Sequence, residues 1–310
     1  SPSRAGLLTG RYQQRFGYEY NPKWDATAVT HGLPLSESTL ADSLRSAGYT
    51  TGAIGKWHLG EEPSGPLQHG FDVQVPRWNK CCPNKSYHAP FGLEGLSDAP
   101  GDYLTDRLTD EALKYVEENK SRPFFLYLSH FAPHDPIQGR ADLVAKYQAK
   151  LARSAPARGS PFLLEGNPDG KNAPTRTQLD AWLKEDAYQG FRVHPNQTVK
   201  IKQHQDNPQF AAMVESIDES FGRVIAKLEA LGLSENTIVI FTSDNGGMSA
   251  ANFGRPDRVV APTALNAAFA TSNLPLRGAK GWLYEGGIRV PLFIRWPGRS
   301  ASGTVSNVPV

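Results

Sequence analysis

Two side chains able to hold or move charge stand two places apart in Gly55-Lys56-Trp57-His58-Leu59-Gly60. In an extended backbone such positions point to the same side, so Lys56 and His58 are expected to present an ammonium and an imidazole together. Lysine is a fixed positive charge, and histidine exchanges a proton near neutral pH. A second chemistry lies in Ser243-Asp244-Asn245-Gly246-Gly247. Asp244 and Asn245 present hard oxygens of the kind calcium or magnesium takes, and the two glycines let the backbone turn sharply beside an ion. Lys280 lies in the glycine-rich run Arg277-Gly278-Ala279-Lys280-Gly281, where backbone and ammonium can close on an anion. His134 belongs to His130-Phe131-Ala132-Pro133-His134-Asp135-Pro136, whose prolines stiffen the loop that aims it. His130 is its competitor and ranks lower. Taken singly, each of these stretches also fits an ordinary turn or a solvated pair.

The elements that must position them follow from periodicity. Residues 36–48 read as a helix capped by Ser36 or Ser38, with Leu40 and Leu44 on one face and Gly48 at its left-handed end. Thr50 to Ile54 reads as a buried strand delivering Lys56 and His58. A second helix runs from Asp102 to Lys120, with Leu104, Leu108, Ala112 and Val116 at four-residue spacing. Phe124 to Leu128 is an apolar strand. The clearest helix starts at the cap Asn207 followed by Pro208, carries Phe210, Val214, Ile217, Phe221, Val224, Leu228 and Leu231 on its face, and ends at Gly232. Thr237 to Thr242 follows as a buried strand that leads into Asp244, and Ile288 to Trp296 offers another. Helices alternating with continuous apolar strands predict an α/β fold with a mostly parallel sheet covered on both faces. Sites in such sheets gather beyond the carboxyl ends of the strands, where His58, His134 and Asp244 all fall.

Composition sets wider limits. A chain of 310 residues with 39% hydrophobic and 21% charged residues has the make-up of a folded globular protein. Its 33 basic and 31 acidic residues leave a net charge of only +2, so no general attraction to nucleic acid or membrane follows. No apolar run is long enough to span a bilayer. Cys81 and Cys82, the only cysteines, are adjacent and read as two structural or weakly reactive thiols rather than a disulfide framework. Residues 137–206 are polar and show little clean periodicity, as in an elaborated insertion near a site mouth.

Several of these stretches also match one family in order. Ser1-Pro2-Ser3-Arg4 through Thr9-Gly10-Arg11 resembles the sulfatase signature C/S-x-P-S-R-x-x-x-x-T-G-R without its first letter. Gly48-Tyr49-Thr50-Thr51 running into Gly55–Gly60, then Ser243–Gly247, then Leu276–Gly281 continuing to Glu285-Gly286-Gly287-Ile288-Arg289-Val290-Pro291, resemble the same family. Ala132–Pro136 is a weaker match. The resemblance spans nearly the whole chain and is poorest over 137–206.

It implies an alkaline-phosphatase-like fold, with one catalytic domain over 1–310, an insertion at about 137–206 and a smaller C-terminal subdomain missing. It places the nucleophile, a Cys or Ser converted to formylglycine, on the residue preceding Ser1. One calcium ion, or less readily magnesium, would be held by Asp244 and Asn245 with an aspartate pair on a strand before Ser1. Arg4 would neutralise the nucleophile region. Lys56 and Lys280 would bind sulfate, His58 would assist release of sulfate, and His134 would bind sulfate and, with Lys280 as alternative, protonate the leaving alcohol. The implied substrate is a sulfated sugar or aryl sulfate. The implied maturation partner is a formylglycine-generating or anaerobic sulfatase-maturating enzyme, and the implied location is periplasmic or secreted. Two rivals share the fold: a phosphate ester hydrolase, and an inactive relative that binds sulfated glycan.

Overall fold

The computed structural model describes residues 1–19, 21, 32–166, 171–188, 195–250 and 268–310. Along the chain run α1 (Pro2–Thr9), α2 (Leu40–Ser46), β1 (Thr50–Gly55), β2 (Val73–Val75), α3 (Leu104–Asn119) and β3 (Phe124–Ser129). Then come α4 (Ala141–Arg153), β4 (Phe162–Glu165), α5 (Arg176–Trp182), β5 (Val199–Lys202) and α6 (Pro208–Ala230). The last elements are β6 (Val239–Thr242), α7 (Glu285–Ile288) and β7 (Leu292–Arg295). The chain forms two compact units: Ser1–His134 with Val214–Asp244 and Pro291–Val310, and Asp135–Met213 with Asn245–Val290.

The first unit is built on a parallel sheet in the order β2-β1-β3. Neighbouring residues of a strand face opposite sides, and β1 uses both. Ala53 joins Ala5 and Leu8 of α1, Ala41 of α2, Trp57, Leu59 and Phe71 in one core, with Phe125 and Tyr127 of β3 packed against it. On the other face Gly52 leaves no room for a Cβ, which would sit 2.7 Å from the ring of Tyr115 in α3. Tyr115 also meets Phe124 edge to face. Helices therefore cover both faces, and Leu104, Leu108, Ala112 and Val116 form the buried stripe of α3 as their spacing predicts.

Several expectations are corrected. The cap of α2 is Thr39, not Ser36 or Ser38. Its side chain accepts from the N–H of Asp42 while Asp42 answers to the N–H of Thr39, a reciprocal capping box that starts the helix late. On α6, Asn207 caps as predicted, its side-chain oxygen accepting from the N–H groups of Gln209 and Phe210. The fully buried positions of that helix, however, include Ala212, Met213, Ser216 and Ser220, while Val214 is 45% exposed. Apolar spacing missed a contact face made of small residues. The strand at 237–242 is not buried: β6 pairs antiparallel with β7, and Ile240 and Phe293 are 59% and 64% exposed. Ile288 ends the short α7 rather than opening β7, and the last residues form no strand.

The second unit is more regular than its sequence suggests. β4 and β5 pair antiparallel, Leu163 against Ile201. Val199, Ile201, Ala250 and Ala279 form one small core, and Leu164, Leu179 and Tyr188 another. Both lysines of β5 are buried. Lys202 pairs with Asp206 at 2.6 Å, and the ammonium of Lys200 donates to the carbonyl of Tyr188, with burial pushing its pKa down. The stretch 137–206 makes up most of this unit's first segment, and its residues 167–170 and 189–194 lie outside those described.

Candidate functional site

Arg4 is the organising residue of the first unit. Pro2 starts α1 and Gly10, at φ +64°, ends it in the left-handed region that glycine tolerates. Arg4, Ala5 and Leu8 are the buried face. Ala5 and Leu8 enter the core, so the guanidinium is carried onto the sheet face that holds Tyr127 and Ser129. Its Nε donates to Asp244 Oδ2 at 2.9 Å, and its Nη1 donates to the Lys56 carbonyl at 3.2 Å and to Tyr127 Oη at 2.9 Å. Nη1 also donates to Ser129 Oγ. One planar fork thus ties α1 to the ends of β1 and β3 and to the residue that follows β6.

Lys56 is 6% exposed, and its Nζ lies 3.8 Å from the same Asp244 oxygen. Burial pushes the Asp244 carboxyl up, but Arg4 and Lys56 outweigh it and hold the group well below the usual carboxylate range. Burial works against the charge on Arg4 too, and Tyr127 and Asp244 keep its pKa raised. Two cations around one carboxylate leave this cluster with an excess of positive charge.

Lys56 and His58 do not share an extended segment. β1 ends at Gly55, and His58 has φ +57°. The unusual backbone is held from both sides: the N–H of His58 donates to the Asn79 carbonyl at 3.0 Å, and Ser1 Oγ donates to the His58 carbonyl at 2.7 Å. Between them Trp57 turns into the core, edge to face with Phe71. His58 is 7% exposed; burial, then Lys56 and further nearby positive charge, lower its pKa to about 2, so the imidazole is neutral.

Gly55 makes this delivery possible. It has φ +104°, and a Cβ there would lie 2.0 Å from the Ser129 carbonyl oxygen. Gly55→Ala is therefore expected to destabilise the chain by at least about 1–3 kcal/mol, read as a lower midpoint in thermal denaturation.

His134 is half buried at the end of the loop after β3. Its N–H donates to the Phe131 carbonyl at 3.0 Å, its carbonyl accepts from Tyr87 Oη at 3.0 Å, and its Nε2 lies 4.0 Å from Cys82 Sγ. Cys81 and Cys82 are not thiols: they are joined to each other as a disulfide. Adjacent cysteines were dismissed because they cannot cross-link a fold, yet they can still bond to one another. His130 faces elsewhere. Its Nε2 is 2.8 Å from Ser220 Oγ, which Thr109 Oγ1 also contacts, and burial lowers its pKa to about 4.

Asn245 and Lys280 belong to the second unit. The Asn245 amide donates to the Gly246 carbonyl at 2.9 Å, and the backbone N–H of Lys280 donates to the Gly247 carbonyl at 3.0 Å. Gly246 is required less for a sharp turn than for close approach, since a Cβ would lie 1.9 Å from the Gly286 carbonyl oxygen. Asn273 gathers this loop, donating to the carbonyls of Gly247 and Gly286 at 2.9 and 2.8 Å. The loop expected at 249–275 lies largely outside the described residues. Arg277 stacks over Tyr284, and Glu285 pairs with Arg289 at 3.3 Å.

Asp244 and Asn245 are hard-oxygen donors adjacent in the chain, and that chemistry suits calcium. Two oxygens are short of the six to eight such an ion takes, and among the described residues no three or more His, Cys, Asp or Glu come together as ligands. Sequence reasoning missed Tyr127, Ser129, Asn273 and the sulfur beside His134. Only Tyr127 and Ser129 carried a readable signal, two places apart on one face of an apolar strand.

The sulfatase family model matches residues 1–310. N-acetylgalactosamine-6-sulfatase of Mus musculus is 30% identical, over 99% of this chain and 50% of its own length. Arylsulfatase G of Canis lupus familiaris is 32% identical, over 96% of this chain and 50% of its own. The solved structure of Ps i-CgsB in complex with k-i-k-neocarrahexaose superposes with a TM-score of 0.62 at 25% identity, over 96% of this chain and 55% of that one. The chain spans about half the length of the curated relatives it matches. Among the described residues, no helix is long and apolar enough to cross a membrane.

Proposed function

The chain belongs to the sulfatase family and has its alkaline-phosphatase-like α/β fold, and from that premise we propose that the whole protein hydrolyses sulfate esters of sugars or aryl alcohols. The observation that carries this reading is the cluster of Arg4 and Lys56 around Asp244 beside a neutral His58, all within one unit. A sulfate ester needs fixed cations for its spreading negative charge and a proton for its leaving alcohol.

Lys56 holds a sulfate oxygen. Arg4 keeps Asp244 ionised and fixes the ends of β1 and β3, so the ammonium of Lys56 does not drift. Neutral His58 accepts a proton as sulfate is released, and His134 supplies one to the departing alcohol. Asn245 and Lys280 enter the proposal through the sequence match alone, as a metal ligand and a sulfate-binding cation. When bound, a formylglycine hydrate would supply the nucleophile and a calcium ion, with Asp244 and Asn245 among its ligands, would add positive charge at the sulfate. The maturation partner is the enzyme class that installs formylglycine. The Cys81–Cys82 disulfide supports a periplasmic or secreted location, where such bonds persist.

The test is turnover of one aryl alcohol as its sulfate and as its phosphate ester. The whole protein is expected to favour the sulfate, and His134→Ala to lower its kcat by about 10²–10⁴-fold, the worth of a positioned general acid. The 310 residues contain no Cys or Ser followed by x-Pro-Ser-Arg, so on their own they are expected to release no sulfate above the buffer rate. Faster phosphate turnover, or turnover by the 310-residue chain, would overturn the reading.

A further inference from the structure

We propose that the Cys81–Cys82 disulfide is a positioning element for His134, holding its imidazole open to an anionic ester. The inference rests on the sulfatase reading only for the anion. Cys82 Sγ lies 4.0 Å from His134 Nε2, and both cysteines are only half buried. The same short segment reaches the other imidazole, since the Asn79 carbonyl accepts from the N–H of His58 at 3.0 Å. The segment is pinned at several points. The Trp78 indole donates to the Cys82 carbonyl at 2.7 Å, Gln74 donates to Asn79 Oδ1 at 2.7 Å, and Lys80 lies over the Trp78 ring while pairing with Glu61 at 3.4 Å. One five-residue wall therefore borders both histidines.

The chemistry at Cys82 explains why a disulfide belongs there. A bond between neighbouring cysteines closes a small ring and removes the side-chain rotation of both. The sulfur that faces His134 carries no proton and no charge, so it does not compete for the imidazole. Reduction changes both properties. The thiolate of a dithiol reductant attacks one sulfur, the protein S–S bond breaks, and the departing thiolate takes a proton. The reductant's second thiolate then closes its own disulfide, and two electrons have passed to the protein. Cys82 is now free to rotate and carries an S–H donor that can also ionise beside an imidazole. His134 gains a partner where the oxidised protein offers none, and its ring is drawn from the anion.

The experiment follows the ring nitrogens of the 310-residue chain by NMR, oxidised and after dithiothreitol, while sodium sulfate is added. His134→Gln assigns the His134 signals, and those of His69, buried against Trp57, report whether the core stays folded. Reduction is expected to move the His134 signals before any sulfate is present, to leave those of His69 in place, and to weaken sulfate binding about tenfold, the scale of one misplaced hydrogen bond to a charged group. Cys81→Ala should resemble the reduced protein and no longer respond to dithiothreitol. Unmoved His134 signals on reduction, or a Cys81→Ala chain that matches the oxidised one, would overturn the proposal. If reduction moves His134 while sulfate perturbs neither state, the positioning role stands and the sulfate reading of this chain fails.

Discussion

Replacing Arg4 by alanine is expected to cost about 3–5 kcal/mol of stability, measured by urea denaturation. The guanidinium is the donor for Asp244, Lys56, Tyr127 and Ser129 together. Its loss leaves a buried carboxylate with only the Lys56 ammonium at 3.8 Å, and leaves a carbonyl and two hydroxyls to find new partners. Arg4→Lys keeps the charge but not the fork, so it is expected to recover only part of the loss. In the double variant Arg4→Ala with Asp244→Ala, the cost should be well below the sum of the two single changes, because each single change strands a charge that the other removes. Additive costs would mean that the pair is no more than a surface contact.

Mild acid should unfold this chain well before its carboxylates protonate. Burial lowers the imidazoles of His58, to about 2, and of His130, to about 4, and it lowers His69 as well. Each is neutral in the folded state, whereas in the unfolded chain each takes a proton below about pH 6.5. The sign follows directly: the unfolded state binds more protons, so stability is complete above that pH and falls as the pH drops below it. Three such groups together are expected to remove about 4 kcal/mol between roughly pH 7.5 and 5.5. Urea midpoints across that range would show it, and His69→Gln should reduce the dependence by about a third. A flat profile would mean that these rings are protonated in the fold.

The sheet was legible because its strands are apolar runs between helices with plain four-residue stripes, as Leu104 to Val116 shows. Less visible was whatever depends on the partner rather than on the segment. The apolar run at 237–242 looks buried in one dimension, but its pairing with β7 leaves Ile240 and Phe293 exposed. Thr39 outranks Ser36 and Ser38 as a cap because Asp42 stands three places on and answers it. At the site, Lys56, His58, His134 and Asp244 were readable as residue types at strand ends. Arg4 was readable only through the resemblance, since an arginine in a terminal turn gives no hint of a carboxylate 240 residues away. His58 shows the limit of spacing arguments: the i, i+2 rule failed where the backbone turned left-handed.

That separation also has a consequence in time. At about 5–20 residues per second on a ribosome, Arg4 waits roughly 12–48 s before Asp244 has been made. For that interval the emerging chain carries two cations meant for burial and no acid to neutralise them. A newly made α1 would therefore stay unsettled against its sheet until late in translation, when a passing polyanion or a chaperone could hold it.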